Sequence, residues 1–184
     1  MTARATVGLQ GFPRPIAPPP AVGQALEAMG VALRPAGEAD LGFLRALYGE
    51  LRAAEMAFAP WTPIAKTAFL NSQFALQHQH FTAIYPRADF LVVERHGALI
   101  GRLYVDWGEP DVLIVEIGLL TRHRGLGVGS ALLDWAADEA RRRGAARITL
   151  HVVEHNTAAR RLYERRGYRA ESIDGAHILM TQAL

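Results

Sequence analysis

Apolar residues along this chain switch between two spacings, one helical and one strand-like. Leu44, Leu47, Tyr48 and Leu51 recur at helical intervals, and Asp40 is placed to cap their first turn. Thr62 then Pro63 opens a second helix, a cap followed by proline at the first helical position. Its apolar stripe is Leu70, Phe74, Phe81 and Ile84. Strands are predicted over residues 31–34, 89–94 and 99–106, the last two joined by a turn at His96-Gly97. The turn Gly108-Glu109-Pro110-Asp111 leads into the apolar strand 112–120, and a long amphipathic helix later ends at Gly144. Residues 147–153 read as a buried strand. Asn156 caps a helix with Ala159, Leu162 and Tyr163 on one face, closed by Gly167. Two short strands flank Asp174-Gly175.

The resulting order is β-α-α-β-β-β-α-β-α-β-β. It places one parallel βαβ unit in an otherwise hairpin-connected sheet, an α/β (α+β) fold class. Ahead of it, residues 1–22 carry Pro13, Pro15, Pro18, Pro19 and Pro20 and read as an extended arm with no packed element. Residues 23–29 form a short helix at most. The division is therefore a proline-rich arm over 1–30 and a single domain over 31–184.

A chain of 184 residues, half of them hydrophobic, suits one domain with a proper core. The net charge of +2 gives no reason to expect a nucleic-acid partner. The chain has no cysteine, which excludes thiol nucleophiles, disulfides and thiolate metal sites. No apolar run is long enough to cross a membrane, and Met1-Thr2-Ala3-Arg4-Ala5 does not open a signal-peptide core. A cytoplasmic enzyme is the expectation. His78 and His80, two apart on a helix, do not share a face, so no metal site is expected.

The most specific signal is the turn Arg124-Gly125-Leu126-Gly127-Val128-Gly129 between the apolar strand and the long helix. A helix N-terminus offers unpaired N–H groups and the positive end of its dipole, and glycines let a phosphate approach. The turn lacks the lysine of a Walker loop, and Ser130 stands where a dinucleotide fingerprint needs its third glycine. The spacing that fits is Arg/Gln-x-x-Gly-x-Gly/Ala, from Arg124 through Gly127 to Gly129. With Asn156-x-x-Ala159-x-x-Leu162-Tyr163-Glu164-x-x-Gly167-Tyr168 downstream, residues 31–184 resemble the GNAT superfamily of acetyl-CoA-dependent N-acetyltransferases.

The resemblance implies a mixed, mostly antiparallel sheet with helices on both faces. It implies that Arg124, Gly125, Gly127, Val128, Gly129 and Ser130 hold the pyrophosphate of acetyl-CoA. Backbone groups of Leu119 and Leu120 would contact pantetheine and the acetyl carbonyl, and Asn156, first a helix cap, would add a coenzyme contact. Thr121 departs from the proline usual before the loop. Tyr163 resembles the tyrosine that protonates the leaving thiolate; the competing role is core packing.

An amine with a pKa of about 10.4 is neutral in only about one molecule in a few thousand at pH 7, so a base is needed. Glu116 is the first candidate. It lies mid-strand in an apolar run, where burial favours the protonated carboxyl. Alternation groups it with Ile114, Gly118 and Leu120. A structural hydrogen bond is an equal alternative for it, and Asp106 and Glu154 are second choices. Trp61 is a candidate for lining an acceptor pocket or for burial in the core. The expected partner is a small-molecule or peptide amine, with no nucleic acid and no membrane; a homodimer is left open. A non-catalytic acyl-CoA-binding or regulatory module on the same fold is the alternative function. A nucleotide-binding oxidoreductase is disfavoured by the glycine spacing.

Overall fold

The structure, a computed structural model, describes residues 11–15 and 20–184. The segment Met1-Thr2-Ala3-Arg4-Ala5, expected to open no signal-peptide core, and the prolines Pro18 and Pro19 lie outside the described residues. Helix α1 (Gln24–Ala28) precedes strand β1 (Val31–Pro35), a 3-10 turn (Glu38–Asp40) and helices α2 (Leu41–Met56) and α3 (Pro63–Ile84). Strands β2 (Asp89–Arg95), β3 (Ala98–Asp106) and β4 (Asp111–Leu119) follow, then α4 (Val128–Arg142), β5 (Arg147–Val153), α5 (Thr157–Arg165), β6 (Arg169–Asp174) and β7 (His177–Ala183).

The strands make one seven-stranded sheet in the order β1-β2-β3-β4-β5-β7-β6. Every neighbouring pair is antiparallel except β4 and β5, which α4 connects in parallel. This is the fold class the sequence predicts. One face packs against α1, α4 and α5 through Leu26, Leu132, Leu133, Ala136 and Tyr163. The other packs against α2 and α3 through Leu44, Tyr48 and Phe74.

Two features of β4 position everything that follows. Its parallel pairing with β5 covers only Asp111–Ile114 against Arg147–Leu150, and beyond that the two strands part. Its register with β3 jumps from Tyr104↔Glu116 to Val105↔Ile114, leaving Val115 as a bulge residue. A bulge bends its strand and adds twist, and this one falls where the pairing with β5 stops. It also breaks the count of alternate residues. Val112, Ile114, Ile117 and Leu119 belong to the α4/α5 side, while Val115 packs on the α2/α3 side. Glu116 therefore shares a face with Gly118 but lies opposite Ile114, which corrects the grouping expected from strict alternation.

Local signals held where the partner is local. Thr62 Oγ1 accepts from the Ala65 N–H at 3.2 Å, and Asn156 Oδ1 accepts from the Ala159 N–H at 3.2 Å. Asp40 does not cap α2: it is itself helical, and its buried carboxylate takes both amino groups of Arg34 at 2.8 Å and the Gly37 N–H at 2.8 Å. On α3 the inward face holds Phe74, His78 and Thr82, whereas Ile84 is exposed. His78 lies between the rings of Phe12 and Phe74.

The described part of the N-terminal segment is packed. Phe12 meets His78, Phe90 and Tyr104 at ring-centroid distances of 4.8, 5.5 and 6.4 Å. The Trp135 indole N–H donates to the Ala21 carbonyl at 3.0 Å, and Leu26 is buried in the core with α4. The boundary expected at residue 30 thus does not mark where packing begins. Short prolines-and-glycine sequence hides this, because one aromatic ring carries the contact without any periodic pattern. Among the described residues no helix is long and apolar enough to cross a membrane.

Candidate active site

The α4 N-terminus stands directly after β4, on the side where β4 and β5 separate. Gly127 takes the N-cap position with φ +84°, and Gly125 has φ +72°. Both are left-handed conformations that suit glycine and not a residue with a Cβ. The first intrahelical bond runs from Ala131 N–H to the Gly127 carbonyl at 3.0 Å. The N–H groups of Val128, Gly129 and Ser130 precede it and have no residue four positions back within the helix to accept them. A run of free N–H groups at a helix N-terminus is a donor set that can hold an anion such as a pyrophosphate. Gly129 serves differently from Gly127. A Cβ there would stand in ordinary van der Waals contact, 3.4 Å from Leu162 Cδ2 and 3.9 Å from Leu119 Cδ1, so this position marks where α5 and the end of β4 pack on α4.

Arg124 orders the turn as well as charging it: its Nε donates to the Leu119 carbonyl at 3.0 Å. The Leu120 N–H donates to Ile100 O at 2.9 Å, and the Leu120 carbonyl accepts from His123 N–H at 2.9 Å. These bonds already engage much of the Leu119 and Leu120 backbone that the family resemblance assigns to pantetheine. Glu50 of α2 accepts the Thr121 N–H, and that bond holds its carboxyl below the usual range. The residue in place of the usual proline thus ties the loop to α2 through a donor that proline lacks.

Tyr163 of α5 is buried beside Tyr168, with ring centroids 6.0 Å apart. Burial pushes its hydroxyl well above the ordinary tyrosine range, and the negative charge of Glu116 pushes the same way. The two residues singled out as catalytic are thus near enough for the charge of one to act on the other. Asn156 spends its Oδ1 on the α5 cap.

Glu116 is not unpaired in an apolar wall, as one of its two expectations had it. Its Oε2 lies 3.3 Å from Arg102 Nη2 and accepts from Gln77 Nε2 at 3.3 Å, which is the hydrogen-bonded alternative. Its side chain is 20% exposed, whereas that of Arg102 is 2% exposed. Arg102 and Gln77 were not anticipated. A signal existed: Arg102 is the lone charge within the apolar stretch 99–105, as Glu116 is within 112–120. Two opposite charges, each alone in one strand of a hairpin, are an ion-pair pattern. Asp106 sits opposite Leu113, where the sheet is still closed, and Glu154 is exposed just after β5. Trp61 is half-exposed in the loop before α3, edge-on to Phe69 at 5.2 Å, and so is not a core tryptophan. Among the described residues no group of three or more acidic or histidine side chains is arranged to hold a metal ion.

The chain is similar to known proteins over most of these elements. Residues 50–168 match the acetyltransferase (GNAT) family, a span running from α2 to Tyr168. The chain is 32% identical over 124 residues to a mycothiol acetyltransferase of Geodermatophilus obscurus, covering 67% of this chain and 34% of that one. It is 36% identical over 89 residues to a streptothricin acetyltransferase of Streptomyces lavendulae, covering 47% of each. The chain thus spans a third to a half of these relatives. Its fold is similar to that of the PaiA N-acetyltransferase from Thermoplasma acidophilum, solved in complex with coenzyme A. The TM-score is 0.66 at 17% identity, over 85% of this chain and 100% of that one.

Proposed function

The chain belongs to the acetyltransferase (GNAT) family, and on that premise we propose that it transfers the acetyl group of acetyl-CoA to a primary amine through a ternary complex. One observation carries the reading: a glycine-capped helix N-terminus opens at the point where two parallel strands part. The amides of residues 125–130 and the Arg124 charge are the groups that would hold the pyrophosphate. Bound there, the coenzyme supplies an activated thioester.

The chain's own residues handle the protons. Glu116, partly open to solvent, takes a proton from the acceptor ammonium, directly or through water, so that the nitrogen lone pair can attack. Tyr163, kept protonated by burial, gives its proton to the departing thiolate. A thiol pKa of about 8.5 makes that thiolate a fair leaving group, so base assistance contributes more than acid assistance. The C–N bond forms as the C–S bond breaks, and the second nitrogen proton passes through water to the Tyr163 oxygen, so Glu116 holds the one net proton released, with no covalent enzyme intermediate in the scheme.

The test is calorimetry with acetyl-CoA, then release of free coenzyme A thiol against a panel. The panel holds an amino acid, a polyamine, a streptothricin and a peptide with a free N-terminus. Binding with turnover of at least one amine is expected. Binding without turnover of any amine would support a non-catalytic acyl-CoA-binding module, and failure to bind would remove the coenzyme assignment.

A further inference from the structure

We infer that Arg102 and Gln77 are positioning residues that hold one carboxylate oxygen of Glu116 and turn the other toward the acceptor amine. The inference rests on the proposed role of Glu116 as proton acceptor. Three elements contribute: Arg102 comes from β3, Gln77 from α3 and Glu116 from β4. Arg102 Nη2 donates to Gln77 Oε1 at 2.9 Å, and Gln77 Nε2 donates to Glu116 Oε2 at 3.3 Å. The direct approach of Arg102 Nη2 to the same Glu116 Oε2, at 3.3 Å, closes the ring. Both contacts to the carboxylate fall on Glu116 Oε2, and neither uses its Oε1.

Each member fixes the next. An amide has one acceptor end and one donor end, and here a cation faces the first and an anion the second. Gln77 therefore has one favoured orientation. Arg102 is immobilised by burial and lies over the Tyr104 ring, 5.4 Å from its centroid. Fully burying an arginine is a poor route to stability, because desolvation offsets the pairing. Orienting a carboxylate is a use that burial serves well, since a fixed acceptor needs no reorganisation when the amine arrives.

The charges and titratable groups that face Glu116 come from three other elements. They are Arg102 and Tyr104 of β3, Arg52 of α2 and Tyr163 of α5. Both tyrosine hydroxyls are pushed up by burial, so near neutrality Arg102 and Arg52 are the charged neighbours. Arg102 is the one in contact. Removing it disfavours the ionised carboxylate, so the acidic limb of the pH–rate profile moves to higher pH.

The experiment compares wild type, Gln77→Met, Arg102→Lys, Arg102→Met, Glu116→Gln and the double variant Gln77→Met/Glu116→Gln. Acetyl-CoA affinity is measured by calorimetry, and kcat and the pH profile with the best amine of the panel. Gln77→Met is expected to lower kcat by about tenfold to a hundredfold with acetyl-CoA affinity unchanged. In the Glu116→Gln background it should add no further loss, because it acts through that carboxylate. Arg102→Met should move the acidic limb upward, and Arg102→Lys should move it less. Carbon-13 NMR of glutamate-labelled protein, with Glu116 assigned by its loss in Glu116→Gln, reads the same shift without any acceptor. If Arg102→Met does not fold, Gln77→Met and the double variant still decide. Equal losses from Gln77→Met in both backgrounds, or no loss in the folded single variant, would overturn the positioning role. Wild-type kcat and an intact acidic limb in Glu116→Gln alone would instead remove the base assignment itself.

Discussion

Gly129 and Leu162 lie against one another: a Cβ on the glycine would stand 3.4 Å from Leu162 Cδ2, an ordinary packing distance. The contact joins the first turn of α4 to the middle of α5. It couples the proposed pyrophosphate cradle to Tyr163, the residue after Leu162. Coenzyme grip and proton donor therefore share one packing contact, and their effects are separated only by variants that leave it alone.

Gly127→Ala is one such variant. A Cβ there meets only Met29 Cε, at 3.5 Å, but the residue is held at φ +84°. The left-handed conformation costs about 1–2 kcal/mol for a residue with a side chain. Gly144→Ala is the control, with φ +78° and nothing within 4 Å of its Cβ. Both should lose a similar amount in thermal unfolding, about 2–8 °C. Only Gly127→Ala should weaken acetyl-CoA binding in calorimetry, by tenfold or more on the order of one lost phosphate contact.

Tyr163→Phe keeps the buried ring and removes the hydroxyl. Acetyl-CoA affinity should hold while kcat falls by about a hundredfold, the lower end for general acid catalysis. Because burial raises the hydroxyl above its ordinary value of about 10, wild type should show no alkaline loss from this group below about pH 10. Stopped assays of thiol release between pH 6 and 10 check both points.

The Arg34–Asp40 pair gives a prediction about acid. Arg34 donates two hydrogen bonds to the Asp40 carboxylate and, with Gly37 N–H, holds it below its usual range despite burial. The folded state thus prefers the ionised form. Its stabilisation is complete above the unfolded value of about 4 and is lost as pH falls below it. Asp40→Asn should lower stability at pH 7 by about 1–2 kcal/mol, moderated by the partly exposed Arg34. Urea midpoints of the two proteins should converge below about pH 4.

The N-terminal contacts carry weight of their own. Reading residues 1–22 as an unpacked arm predicts that their deletion leaves the melting temperature nearly unchanged. With Phe12 among three aromatic rings and Ala21 O bonded to Trp135, deletion should instead cost several degrees. Phe12→Ala alone should remove about 1–3 kcal/mol, since the ring is partly buried. Differential scanning calorimetry on the full and shortened chains measures this directly, and equal melting temperatures would return the segment to a passive arm.

What could be read from sequence was set by local chemistry. Thr62-Pro63, Asn156 and the 125–129 glycines each announce a structure whose partner lies within a few residues. Element order followed from such marks. Asp40 carries the same cap signal as Thr62, yet Arg34, a strand away, outbids the helix for its carboxylate. His78 entered the core because Phe12, 66 positions earlier, supplies a ring for it. The Arg102–Gln77–Glu116 ring spans three elements: the lone charges of the β3–β4 hairpin hint at the ion pair, but nothing along the chain points to Gln77. The bulge at Val115 was hidden for another reason. In a strand covered on both faces, apolar residues occur at every position, so the sequence keeps no record of which face each one takes.

That bulge has a consequence for how the protein avoids other proteins. A sheet ordinarily has two rims, and each is a hazard because unpaired strand backbone recruits strands from elsewhere. By bending β4 away from β5 after Ile114, Val115 opens a third rim in the interior. Helices α4 and α5, meeting at Gly129 and Leu162 beside Leu119, stand over it. Backbone that would invite aggregation on the outside is thus denied to a neighbouring sheet, while the proposed coenzyme would still reach it.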